Sequence, residues 1–172
     1  FGVFVQEYNG TVGTLGKNFA MDAYTGWPSV EADTNLALPQ LLKNVYDSGE
    51  NATWNSTVIV QNPGPSSATV TLKFYPHTGG EYTHSNIVIP AGGSYTADLQ
   101  TDSALVGLSW FYGTGRVTST QPVVVIAHHI TAYGLTTYAG SSSKRASTTL
   151  YLTQLLKSVY DTLSNYSWGT GI

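Results

Sequence analysis

An all-β fold, a sandwich or barrel of short antiparallel strands, is what the sequence predicts, and three observations predict it. Runs rich in β-branched and aromatic residues recur along the chain, glycine- and proline-rich breakers separate them, and one segment occurs twice at a fixed offset.

The first element is FGVFVQEY, residues 1–8, in which Phe1, Val3 and Val5 share a face. The residues after it hold no obvious partner strand for nearly thirty positions, so a hairpin is not expected at this end. Burying Phe1, Val3, Phe4, Val5 and Tyr8 would contribute on the order of 7 to 15 kcal/mol, at roughly 1.5 to 3 kcal/mol per large apolar side chain. Left in water, such a strand is an aggregation hazard, and it is expected to dock in its own sheet or as an added strand in a neighbour's.

In LPQLLKNVY, Leu38, Leu41, Leu42 and Val45 fall at helix-like spacing, but Pro39 and the short length leave a strand, a bent extended segment and a helical turn open, with extended or mixed structure favoured. STVIVQN, ATVTLKFY, SNIVIP, SYTADL, LSWFYGTGRVTS and VVVIAHHITAY then read as strands. Val70, Leu72 and Phe74 alternate with Thr69, Thr71 and Lys73, the pattern of a sheet with one wet side. Val123 to Ile126 form a continuous apolar run, as in a central strand covered on both faces. Asn62-Pro63-Gly64-Pro65, His77-Thr78-Gly79-Gly80 and Pro90-Ala91-Gly92-Gly93 are the turns between strands.

LALPQLLKNVYD at 36–47 returns as LYLTQLLKSVYD at 150–161, and residues 36–58 match residues 150–172 at 11 of 23 positions, an offset of 114. The match extends backwards to Tyr24 with Tyr138, Gly26 with Gly140, Ser29 with Ser143 and Ala32 with Ala146. FGVFVQEY resembles VVVIAHHI in apolar character, as though the chain opened on the last strand of one unit and closed on the first of another. The expected division is a donor-type strand and linker at 1–35, a domain at 36–140, and a linker with a partial repeat at 141–172. A sandwich uses about 100 residues, which the middle segment supplies.

Charged residues make up 10% of the chain, against roughly 25% in an average globular protein. With a net charge of −3 and scattered Lys and Arg, there is no footprint for nucleic acid or an anionic membrane surface. No apolar run is long enough for a spanning helix, so membrane insertion is not expected. Cysteine is absent, which leaves packing and assembly rather than disulfides to stabilise the fold. A chain opening on Phe1 suggests removal of something upstream, with export the commoner reason.

The order LPQLLKNVY, W-x-S-T-V-I-V-Q-N, A-T-V-T-L-x-F-Y, I-P-A-G-G-S and T-S-T-Q-P-V-V-V-I-A resembles a tandem immunoglobulin-like β-sandwich repeat of secreted and cell-surface proteins of bacteria and archaea, over roughly residues 36–133. The resemblance implies an immunoglobulin-like antiparallel β-sandwich, here with an N-terminal extension strand and a C-terminal restart of the repeat. It also implies a secreted or cell-surface location and a non-catalytic role, with no catalytic residues to carry over. The arrangement of one full unit between partial ones is similar to donor-strand subunits of extracellular filaments.

Asn9, Asn51, Asn55 and Asn165 head N-glycosylation sequons, and Asn51 and Asn165 are repeat-equivalent, each three residues before a Trp. N-linked glycans are the one attached group the sequence suggests; no cofactor and no metal are expected. His128 and His129, neighbours in a strand, point to opposite faces and cannot chelate one ion together, whereas His77 and His84 flank a hairpin. The acidic residues are dispersed and no nucleophile motif stands out, so no enzyme is expected. Trp110 and Tyr112 share a face and read as core or cross-strand packing, while Trp27, in a Gly-Trp-Pro turn, is the candidate for an exposed ring.

The expected function is a structural subunit of an extracellular filament or surface array, polymerising head-to-tail with copies of itself through a donor strand at Phe1, Val3, Phe4, Val5 and Tyr8. The alternatives are a carbohydrate-binding or adhesion module that takes surface glycans, and a passive stalk repeat of a larger exported protein.

Overall fold

The computed structural model describes residues 32–49, 51–132 and 134–145, together with the main chain of four short flanking strands. Every regular element among them is a strand, apart from one 3₁₀ turn at Ser143–Arg145. In chain order these are β1 (Phe4–Asn9), β2 (Ala20–Thr25), β3 (Asp33–Lys43), β4 (Val45–Asp47), β5 (Ala52–Gln61), β6 (Ala68–Pro76) and β7 (Tyr82–Ile89). They continue as β8 (Ser94–Asp98), β9 (Phe111–Ile130), β10 (Leu135–Ala139), β11 (Ser141–Ser142), β12 (Val159–Asp161) and β13 (Tyr166–Trp168).

A curled antiparallel sheet of nine strands is organised by β9. The first half of β9 lies between β3 and β6, with β7 beyond β6; its second half lies between β5 and β10, with β8 beyond β5. The two predicted runs LSWFYGTGRVTS and VVVIAHHITAY are thus one strand rather than two. Its change of partners falls at Pro122, between the Val70 and Ser119 pair and the Gln61 and Val124 pair. Proline has no N–H to give a ladder, so it costs little where the ladder is handed over.

Leu38, Leu72, Phe74, Phe111 and Val117 from one half of the curl meet Val58, Val60, Leu99 and Val125 from the other in a single buried core. Val70, Leu72 and Phe74 face inward, as their alternation predicts. The helix-like spacing in LPQLLKNVY has a different cause. β3 carries an irregularity between Leu38 and Leu41, so Leu36 and Leu38 point inward before Pro39 and Gln40, and Leu41 after them, while Leu42, opposite Tyr112, is buried on the other face. A bulge in a strand shifts the inward phase by one residue and imitates a helical stripe.

The predicted turns lie where expected, and Gly79, Gly80 and Gly92 have φ of 92°, 99° and 69°, a region glycine enters freely. Asn62 is fully buried at its turn: its Nδ2 donates to the carbonyls of Ser66, Ile89 and Pro90, and its Oδ1 accepts from the Gly64 N–H.

At the N-terminal end the expectation of a strand without a local partner is corrected. Phe4–Asn9 pairs antiparallel with Ala20–Thr25, with Val5 opposite Tyr24 and Tyr8 opposite Met21. The partner was hard to see because AMDAYT has little strand character and stands beyond a long connection. Its repeat counterpart is the signal: β10 pairs with β9 so that Tyr138 lies opposite Ala127 and Leu135 opposite Ile130. This is the register that the alignment of FGVFVQEY on VVVIAHHI demands. The other repeated hairpin also keeps register, with Val45 opposite Trp54 in β4 and β5, and Val159 opposite Trp168 in β12 and β13. Phe1 and Val3 lie outside the described residues, and for Phe4, Val5, Tyr8 and Asn9 only the main chain is described.

Candidate functional site

Inward positions of the first half of β9 are Phe111, Gly113, Gly115 and Val117, so Trp110 and Tyr112 must point outward. Trp110 is 50% exposed and Tyr112 41% exposed, so of the expected core or cross-strand packing the core part is corrected; Tyr112 stands opposite Leu42 across the β3–β9 ladder. The two glycines follow from what lies opposite. A Cβ on Gly113 would come within 2.1 Å of the Tyr75 carbonyl oxygen, and one on Gly115 within 2.6 Å of Leu41 Cδ1.

His77, from the turn after β6, sits against both rings. Its centroid is 5.6 Å from that of Trp110 with the planes 31° apart, and 5.7 Å from that of Tyr112, edge to face. Its main-chain N–H donates to the Tyr112 carbonyl at 3.0 Å, which fixes the turn on β9. A cleft of about 340 Å³ opens here, walled by His77, Tyr82, Ser109, Trp110 and Tyr112, and no Asp, Glu, Lys or Arg lines it.

Tyr112 also borders a second cleft, of about 490 Å³, with Gln40, Tyr46, Trp54, His129 and Thr136 among its other walls. Tyr46 is 61% exposed, and its hydroxyl donates to Oδ1 of Asn51 at 2.9 Å across the β4–β5 hairpin. Asn51 has φ of 50°, a conformation that asparagine tolerates better than most residues. Asn51 therefore has a structural role in the turn, beside its place in a sequon. Asn55 is half-buried in β5, its Oδ1 accepting from the Asn44 N–H. Trp27 and Asn165 lie outside the described residues.

His129 is 3% exposed on the inward side of β9, and burial holds its pKa down to about 4, against a hydrogen bond to the Gln40 main chain that works the other way. Nε2 of its ring is buried without a hydrogen-bond partner. His128, on the opposite face, is half-buried. His77 and His84, which flank a hairpin in sequence, are engaged separately: His84 Nδ1 is 2.8 Å from Oδ2 of Asp102 and its ring stands edge-on to Tyr95. The Asp102 side chain is wholly buried, and its other oxygen accepts from the Ala104 N–H, so the pair ties β7 to the turn after β8. Sequence reasoning missed this pair because 18 residues separate its members. Among the described residues no three His, Cys, Asp or Glu side chains gather around a common point.

No family model matches the chain, and no curated protein matches it. Among solved structures it is similar to the crystal structure of Thermotoga maritima 1070, at 17% identity and a TM-score of 0.50, over 63% of this chain and 93% of that one. The Anabaena sensory rhodopsin transducer is matched at 19% identity and a TM-score of 0.43, over 55% of this chain and 94% of that one. The likeness to the Thermotoga maritima structure is one of fold.

Proposed function

We propose that the chain is a structural module of a tandem immunoglobulin-like β-sandwich array on an exported, cell-surface protein, one unit flanked by parts of its neighbours. The observation that carries this reading is the double recurrence of hairpins in register: β4–β5 with β12–β13, and the end of β9 and β10 with β1–β2. Low charge and a surface of Ser, Thr, Asn and Tyr suit a passive extracellular spacer. Intact mass of the native polypeptide tests it. A product several units long, with scattering that lengthens stepwise as 114-residue repeats are added, is expected; a native chain of this length alone would count against it.

A second reading, a head-to-tail filament joined by strand complementation through residues 1–8, has one observation in its favour. The second half of β9 has ladder partners on both sides, β5 and β10, whereas its counterpart β1 has only β2 among the described residues. The other edge of β1 is therefore suited to a β5-like strand from a neighbour. Deleting residues 1–8 is expected to leave a folded, monomeric domain by electron microscopy and light scattering; fibres that persist after the deletion would exclude that joint.

A further inference from the structure

The aromatic end of the curl carries more than a spacer needs. Among the described residues, three of the five large hydrophobic side chains that stand exposed, Tyr46, Trp110 and Tyr112, border the two clefts that meet at Tyr112. Exposed rings next to one another usually mark a surface that something covers. The volumes of about 340 and 490 Å³ lie within the range of small-molecule clefts, roughly 300–1,000 Å³.

The chemistry of the walls narrows the occupant. With no charged side chain on the Trp110 cleft and only Asp47 on its neighbour, neither a phosphate nor a charged peptide finds a counter-ion. The flat rings of Trp110 and Tyr112 offer apolar faces, and hydrogen-bonding side chains line the same walls, Ser109 in the first cleft and Gln40 and Thr136 in the second. A sugar ring has this same double character: an apolar C–H face, a rim of hydroxyls and no charge. His77, held between the two rings, braces them instead of leaving them to collapse on one another.

The repeat adds a separate observation. Of the seven lining residues in 36–58, Gln40, Leu42, Val45, Tyr46, Asp47 and Trp54 recur unchanged at 154, 156, 159, 160, 161 and 168, and Ser48 is replaced by Thr162. The exposed Ala37, Pro39 and Asn44 in the same stretch do not.

We propose that the paired clefts form a binding strip for a neutral oligosaccharide, with one sugar stacked on Trp110 and the next against Tyr112, and hydroxyls bound by Ser109, Gln40 and Thr136.

Calorimetric titration of the full chain with hexasaccharides of glucose and of N-acetylglucosamine, to about 1 mM, tests it. Saturable binding to at least one of them is expected. Trp110→Ala and Tyr112→Ala should each weaken it at least about tenfold, with unchanged circular dichroism because both rings are exposed, and Trp27→Ala should leave it intact. Absence of binding to both sugars overturns the proposal, as does affinity unchanged in both variants or lost only in Trp27→Ala. Concentration-dependent self-association of the parent chain that disappears in Trp110→Ala would overturn it too, by showing that a second copy covers the strip.

Discussion

The hydroxyl of Tyr138 in β10 donates to the main-chain carbonyl of Gln40, at the bulge where β3 breaks its own ladder. A bulge leaves main-chain groups without a strand partner, and here a side chain from the neighbouring layer supplies one. Burial raises the Tyr138 pKa to about 12, so the phenol remains a donor throughout the physiological range. Both members recur in the repeat, as Tyr24 and Gln154. Tyr138→Phe removes the donor while keeping the ring, and is expected to lower unfolding free energy by about 1–2 kcal/mol, read from urea denaturation.

His129 shares that carbonyl neighbourhood and sets an acid limit. Its folded pKa, about 4, lies below the ordinary 6.5, so the unfolded chain binds the extra proton first as pH falls. Its contribution is fully present above about pH 6.5 and is lost as pH drops through 4, on the order of 3 kcal/mol in all. Urea midpoints measured from pH 7.5 to 4.5 should fall over that window. His129→Gln, which cannot titrate, should flatten the decline; an equally steep decline in the variant would assign it to other groups.

Much of this fold was written locally. Alternation in ATVTLKFY and the glycines of the turns each act within a few residues. What was not legible depends on partners far along the chain. The bulge at Pro39 and Gln40 copied a helical spacing, and β2 is too weakly strand-like to announce itself without β1 beside it. The outward side of Trp110 and Tyr112 depends on distant partners too: Gly113 and Gly115 lie on the inward face because Leu38, Leu41 and Phe74 stand against it, and that leaves the even positions exposed. The clefts themselves, gathered from β3, β4, β5, β9 and β10, have no local signature.

Asn62 is the most connected polar side chain of the turns. Three carbonyls from two segments converge on one amide nitrogen, and the same side chain caps the Gly64 N–H. Asn62→Ala strands these groups where water cannot replace the amide. Asn62→Asp keeps the acceptor for Gly64 but puts a carboxylate oxygen where the amide donated, and that oxygen repels the three carbonyls. Both Asn62→Ala and Asn62→Asp should cost about 3 kcal/mol or more, seen as a large fall in Tm by calorimetry.

Gly113 faces a harder constraint than any turn glycine. It pairs with both Leu41 and Pro76, inside β9, and an added Cβ would stand 2.1 Å from the Tyr75 carbonyl oxygen and 2.9 Å from the Phe111 ring. The first neighbour is main chain, so relief requires moving β6 away from β9 rather than turning a side chain. That movement would open the T-shaped contact of Phe74 with Phe111, whose centroids are 6.2 Å apart. Gly113→Ala should therefore destabilise by about 2–4 kcal/mol, whereas Gly107→Ala, with open space around its Cβ position, should change stability by less than about 0.5 kcal/mol. Denaturation curves of the two variants side by side check the contrast, and equal losses would mean that β6 and β9 yield more easily than their ladder implies.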